Sequence, residues 1–180
     1  DTGTKLGEWP RATYQVRGLQ GAVFGIIGLG NIGRRVATMA RPFGVQLCAY
    51  SPNAPKGSFE PDIEKIDSLE EILKISDVVS LHTPARPDNY RLYNAKMFSL
   101  MKPTAFFVNT GRGSLVDEPA LTQALVDGTI GGAGLDVFDP EPVEPDNPLL
   151  RAPNLILTPH VSSKTFGVID RTAERAAQSA

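Results

Sequence analysis

The sequence predicts an α/β domain: a doubly wound, mostly parallel sheet of six or more strands. Two observations predict it. Short apolar runs alternate with segments of helical period along nearly the whole chain, and parallel strands need such crossovers. The first run, Val23–Ile27, passes directly into Gly28-Leu29-Gly30-Asn31-Ile32-Gly33 and then into a helical segment. Glycine costs backbone entropy on folding, so three in six residues must answer a steric or a recognition need.

Six strands are expected, at Val23–Ile27, Val45–Ala49, Val78–Leu81, Ala105–Asn109, Ala133–Phe138 and Leu155–Thr158. These short apolar runs read as strands buried on both faces. Helices are expected between most of them. Arg34–Phe43 carries Val36, Met39, Ala40 and Phe43 at helical spacing. Leu69–Ile75 opens on Ser68-Leu69-Glu70-Glu71, the pattern of a capping box. Ala95–Met101 is a short third helix. Pro119–Val126 has Asp117 as its cap and Pro119 in the permissive first turn. A last helix is expected to begin near Ser163–Thr165. Prolines gather in "DPEPVEPDNPLLRAP", Asp139–Pro153, a long irregular connection of the kind that often carries function.

The glycines of Gly28-x-Gly30-x-x-Gly33, set between strand and helix, fit a dinucleotide-binding (Rossmann) turn. The first makes the tight turn, the second lets a pyrophosphate approach the backbone, and the third lets helix and strand pack closely. The helix start, with Asn31 and Ile32 inside the turn, offers N–H groups and the positive dipole end to phosphates.

The bulk numbers narrow the class. A chain of 180 residues suits one domain, 1–180, with a sizeable core. A net charge of −2 and a pI near 5.7 argue against nucleic acid as a partner. No apolar run approaches membrane-spanning length, so no membrane partner is expected. The single cysteine, Cys48, lies in an apolar run and suits a reducing cytoplasm. No metal site is expected. The chain starts at Asp1 and ends on a helical pattern without a capping signal. It is therefore expected to be a piece of a longer chain.

In a doubly wound sheet, ligands bind beyond the carboxyl ends of the strands. Ser51, with Pro52, follows the second strand, 18 residues after Gly33, where an acid usually bonds the adenosine ribose. Its absence removes a charge that would repel a 2′-phosphate, and the first nearby cation is Lys56, so NAD and NADP both stay open. After the third strand, His82 reads first as a structural histidine. Thr83 and Pro84 are placed to contact the nicotinamide side, and Asn89 to help seat the phosphates. After the fourth, Arg112 stands between Gly111 and Gly113, beyond Thr110. Flanking glycines let the backbone turn so that a planar guanidinium points into a cleft, where it suits a carboxylate. A surface ion pair is the equal alternative. Asp136 is an acid inside an apolar strand and needs a partner, either a carboxamide NH2 or a structural donor. Glu141 lies between two prolines. His160 follows the last strand, where an imidazole can shuttle a proton.

Together these stretches resemble the D-isomer-specific 2-hydroxyacid dehydrogenases. "GIIGLGNIG", "DVVSLHTP", "VNTGRGSLVDEPALTQAL", "GAGLDVFDPEP" and "NLILTPHVSSKT" match that family's signatures in order, from about Leu19 to Thr165. The resemblance implies a nucleotide domain inserted within a substrate domain that is absent from this chain, with residues 1–20 and 165–180 leading toward it. It implies NAD or NADP as cofactor, with NAD the first expectation, and Gly28, Gly30, Asn31, Ile32, Gly33, Ser51, Pro52, Thr83, Pro84, Asn89, Thr110, Gly111 and Asp136 as cofactor-binding residues. Arg112 would bind the substrate carboxylate and steady the carbonyl oxygen. His160 would be the general acid in 2-oxoacid reduction. Glu141 would orient His160 and favour its protonated form, and Asp136 would bind the nicotinamide carboxamide.

The substrate implied is a small 2-oxoacid or 2-hydroxyacid, and the assembly a homodimer formed through this domain. The alternative on the same fold is an NAD-sensing interaction protein of co-repressor type. Two positions depart from the family pattern. Ser51 stands where many relatives carry Asp, which leaves the cofactor open. Gly111 stands where Ala or Ser is frequent, a change expected to matter little.

Overall fold

The computed structural model describes residues 6–7, 18–55, 57, 59–162 and 164. The helix expected from Ser163–Thr165, Lys56 and most of the two flanking segments lie outside them.

In the described residues seven parallel strands form one sheet: β1 (Val23–Ile27), β2 (Gln46–Tyr50), β3 (Ile63–Lys65), β4 (Val78–Leu81), β5 (Phe106–Asn109), β6 (Gly132–Leu135) and β7 (Leu155–Leu157). Their order is β3-β2-β1-β4-β5-β6-β7. The chain winds outward from β1 to one edge, returns to β4 beside β1, and winds to the other edge. That reversal opens a crevice at the carboxyl ends of β1 and β4. Among the described residues four helices accompany the sheet: α1 (Asn31–Ala40), α2 (Leu69–Ile75), α3 (Ala95–Ser99) and α4 (Glu118–Val126).

Strand residues alternate between faces, and two cores result. Ile26, Leu47 and Ala49 pack with Ala37 and Ala40 of α1 on one face. Ile27, Cys48, Val79, Leu81 and Phe107 face α2, α3 and α4 on the other. There Phe98 meets Phe107 edge-on at 5.2 Å between ring centres. Each fully buried Ile, Leu or Phe stabilises the fold by roughly 1.5–3 kcal/mol, so the α2–α4 side carries most of the burial. Cys48 is buried, and burial pushes its thiol up to about 11.

Several elements differ from the sequence reading. The short edge strand β3 was not expected: of Ile63, Glu64 and Lys65 only Ile63 is buried, so no apolar run marks it. Helix α1 starts at Asn31, inside the glycine turn, rather than at Arg34, and its last turn tightens into a 3₁₀ segment at Arg41–Phe43. Its buried face is Gly33, Ala37 and Ala40. Met39 and Phe43 are exposed, because small residues let α1 lie close against β1. Strand β6 ends at Leu135, so Asp136 stands just beyond the strand and not within it. Both expected N-caps form, and of the Ser68 capping box the Ser68 half is the one the structure shows. Ser68 Oγ accepts from Glu71 N–H at 3.3 Å, and Asp117 accepts from Ala120 N–H at 3.2 Å.

Candidate active site

The glycine turn follows β1. Gly28 adopts φ +98°, and a Cβ there would meet the His82 carbonyl oxygen at 2.7 Å. A Cβ on Gly33 would fall 2.2 Å from the Gly28 carbonyl oxygen, so this glycine is required for α1 to approach the turn. Gly30 is different. A Cβ there would meet nothing within 4 Å, so its hydrogen leaves open room above the turn. No side chain caps the start of α1, and its first turn holds no acid. Open space, uncapped N–H groups and no negative charge suit a pyrophosphate.

From this turn a cavity of about 440 Å³ extends toward the end of β2, lined by Gly28, Gly30, Ser51, Pro52, Thr83, Pro84 and Asn89. A second cavity of about 680 Å³ continues over the ends of β4 and β5, lined by Ile32, Thr83, Pro84, Thr110, Gly111, Arg112 and Ser162. His82 lines both, half-buried, with Nε2 2.9 Å from Ser80 Oγ. Burial lowers its pKa. The Asn89 amide is engaged within its own loop: it donates to the Pro84 carbonyl at 3.0 Å and accepts from Arg86 N–H at 2.7 Å. It therefore shapes the cavity wall.

Arg112 is exposed at the second cavity, and Nη1 donates to the Gly111 carbonyl at 2.7 Å. The flanking glycines are not there for a left-handed turn, since neither has positive φ. Gly113 is needed because a Cβ would stand 2.0 Å from the carbonyl carbon and oxygen of Phe138. Gly111 is not needed: its Cβ would make ordinary contacts at 3.5–3.6 Å. Gly111→Ala is therefore expected to change unfolding free energy by less than about 1 kcal/mol, in the stabilising direction through the unfolded state. Urea denaturation of the two proteins checks this.

A residue not singled out in the sequence organises this loop. Asn109, fully buried, accepts from Gly111 N–H at 3.0 Å and donates to the Arg112 carbonyl at 2.9 Å. Its only sequence signal is an amide ending an otherwise apolar strand.

Glu141 and His160 meet from separate loops. Glu141 Oε2 lies 2.7 Å from His160 Nδ1, and Oε1 accepts from Phe138 N–H at 3.0 Å. The His160 contact and the Phe138 bond outweigh desolvation and lower the Glu141 pKa, with Arg112 adding a smaller favourable charge. The pair lines its own hollow of about 460 Å³ with Phe138, Pro142, Val143 and Pro159. His160 is thus not a wall of the Arg112 cavity, although Ser162, two residues on, is. His160 also adopts φ +52°, a conformation uncommon outside glycine that often marks functional positions.

Asp136 holds that conformation. It is 4 % exposed and accepts from Thr158 Oγ at 2.5 Å, Val161 N–H at 3.0 Å and Ser162 N–H at 2.9 Å. Its partners here are the residues around His160. Burial pushes its pKa up, but the bonds from Thr158, Val161 and Ser162 outweigh burial and hold it at about 2. The folded-state pKa is thus depressed below the ordinary value near 4. Its stabilising contribution is present above pH ~4 and is lost as pH falls toward about 2. The stability difference between wild type and Asp136→Asn should shrink over that window. Urea denaturation across it checks the trend, and a constant difference would contradict it.

The family described as D-isomer specific 2-hydroxyacid dehydrogenase, NAD binding domain, matches residues 1–162. The chain belongs to this family. It is 41% identical over 162 residues to the D-3-phosphoglycerate dehydrogenase of Methanocaldococcus jannaschii, covering 89% of this chain and 31% of that protein. It is 39% identical over 183 residues to the glyoxylate reductase of Korarchaeum cryptofilum, covering 99% and 55%. Its fold is similar to the NAD-complexed D-isomer specific 2-hydroxyacid dehydrogenase of Lactobacillus delbrueckii ssp. bulgaricus. There the TM-score is 0.86 at 33% identity, covering 95% of this chain and 55% of that one. The chain spans between 31% and 55% of the length of these relatives. For a 2-hydroxyacid dehydrogenase NAD-binding domain, the open Gly30 turn and the cavities running from it toward Ser51 and Arg112 are a fitting cradle for the cofactor. Asn31 and Gly33 lie in the first turn of α1, and Asp136 lies beneath the His160 loop.

Proposed function

We propose that the complete protein is an oxidoreductase that moves a hydride between a nicotinamide cofactor and a 2-oxoacid or D-2-hydroxyacid. One observation carries the reading: an acid–imidazole pair at 2.7 Å, on loops beyond β6 and β7, beside a cavity that runs from the glycine turn to Arg112. Its siblings include proteins named for D-3-phosphoglycerate and glyoxylate chemistry, which supports a small 2-oxoacid as substrate.

When bound, the nicotinamide supplies or accepts the hydride. The chain's own groups do the rest. The Arg112 fork binds the substrate carboxylate and draws on the carbonyl oxygen. With Nδ1 directed at Glu141, His160 presents Nε2 to the substrate and hands a proton to that oxygen as negative charge grows. Glu141 steadies the imidazolium and fixes the ring's orientation. A cation and a proton donor aimed at the growing charge favour the transition state over the ground state. Gly28, Gly30, Asn31, Ile32 and Gly33 hold the phosphates; Ser51 and Pro52 face the adenosine ribose; Thr83, Pro84, Thr110 and Gly111 border the nicotinamide. We further propose a cytoplasmic homodimer joined through this domain.

A panel of 2-oxoacids assayed with NADH and NADPH on the complete protein tests the reading and resolves the cofactor at Ser51. Turnover of one or more 2-oxoacids is expected. Nucleotide-dependent dimerisation without turnover would contradict it and favour the NAD-sensing alternative.

A further inference from the structure

We propose that Glu118 is a positioning residue for the Glu141–His160 pair. The inference rests on the dehydrogenase reading, in which that pair moves the proton. Glu118 opens α4, where an acid ordinarily serves the helix dipole from the surface. Here the side chain is buried, 7 % exposed, and the helix already has its cap in Asp117. The carboxylate is spent on another element. One oxygen accepts from Asp139 N–H at 2.9 Å, and the other from the Asn147 side-chain amide at 2.7 Å. These two donors stand on either side of Glu141 in the sequence. Asn147 Oδ1 is itself occupied by Leu149 N–H at 3.0 Å, so only its NH2 is available to Glu118.

The connection from β6 to β7 is long and proline-rich, and a loop of that kind does not hold a catalytic acid by itself. Glu118 clasps it at two points, and Phe138 N–H holds Glu141 between them at 3.0 Å. A buried carboxylate with both oxygens bonded is costly to disturb. Glu118 also follows Arg112 by one short turn. One short segment, with a 3₁₀ turn at Gly113–Leu115, thereby relates the Arg112 loop to the loop that carries Glu141.

The test uses the complete protein. Glu118→Gln keeps the size and the acceptor toward Asp139 but sets an NH2 against the Asn147 NH2, donor against donor. We expect kcat for 2-oxoacid reduction to fall about 10- to 100-fold, as for a catalytic group misplaced by about 1 Å. The KM for cofactor should stay within about twofold. The Glu141 carboxyl titration, followed by carbon-13 NMR, should rise toward the ordinary glutamate range. The double variant Glu118→Gln/Asn147→Asp restores a donor–acceptor pair with the roles exchanged. It should bring kcat back to within about threefold of wild type and return the Glu141 titration. Wild-type kcat and titration in Glu118→Gln would overturn the proposal, as would a double variant as impaired as the single one. If wild type reduces no 2-oxoacid, the dehydrogenase reading fails, and the Glu141 titration alone still decides the role of Glu118.

Discussion

His160→Ala in the complete protein lowers kcat for 2-oxoacid reduction by about 10²- to 10⁴-fold, the range a positioned general acid supplies. Cofactor affinity stays within about twofold, because uniform binding is untouched by loss of a group that acts on the reacting oxygen. The structural basis is separation. The phosphate cradle belongs to the β1–α1 turn, while His160 sits on the loop after β7 with Glu141. Residue 160 adopts φ +52°, so alanine there also strains the backbone. His160→Asn removes the imidazole with a side chain that tolerates this conformation better. It should show the same loss of kcat with a smaller loss of stability. Steady-state kinetics with a fluorescence titration of NADH checks both. An equal loss of cofactor affinity would make His160 a nucleotide ligand instead.

Gly113→Ala is expected to be the most damaging small substitution in the site. A Cβ there would fall 2.0 Å from the carbonyl carbon and oxygen of Phe138. The obstacle is backbone, so no side-chain rotation relieves it. The destabilisation expected is on the order of 3 kcal/mol. Activity should fall further than stability accounts for, because Arg112 precedes Gly113 and the Phe138 N–H holds Glu141. Denaturation and single-turnover kinetics under folding conditions measure the two effects. The neighbouring Gly111→Ala is the control: one added methyl, ordinary contacts, and little change expected. Equal behaviour of the two variants would show that the Arg112 loop is not locked against Phe138.

These two glycines illustrate what the sequence makes legible and what it hides. The order of elements was legible because buried parallel strands are short apolar runs and the glycine turn sits between a strand and a helix. Six of the seven strands start within one residue of their expected positions and follow the same order, and β1 and β4 match at both ends. The edge strand β3 was hidden because a strand with one buried residue leaves no apolar signature. The buried face of α1 was misread because close helix–sheet packing selects Gly33, Ala37 and Ala40 rather than the larger Met39 and Phe43. The ionisable residues that follow strands, Arg112, Glu141 and His160, were legible as candidates by position. Their supports were not. Glu118 and Asn147 act through a bond between segments far apart in the chain, which no local pattern encodes, and Asn109 folds its amide back onto its own loop, where an amide closing an apolar run does not announce that role. Asp136 was legible as a buried acid in need of partners. Which partners it finds here, Thr158, Val161 and Ser162, depends on a loop more than twenty residues away.

A crystal structure of the complete protein with NAD(H) and oxamate, a carboxylate inhibitor shaped like a 2-oxoacid, tests most directly whether Arg112 and His160 meet one substrate. The pyrophosphate is expected over Gly30, the oxamate carboxylate on the Arg112 guanidinium, and His160 Nε2 within about 3 Å of the oxamate carbonyl oxygen. Oxamate bound away from Arg112, or an imidazole turned from that oxygen with Glu141 still in place, would contradict this arrangement.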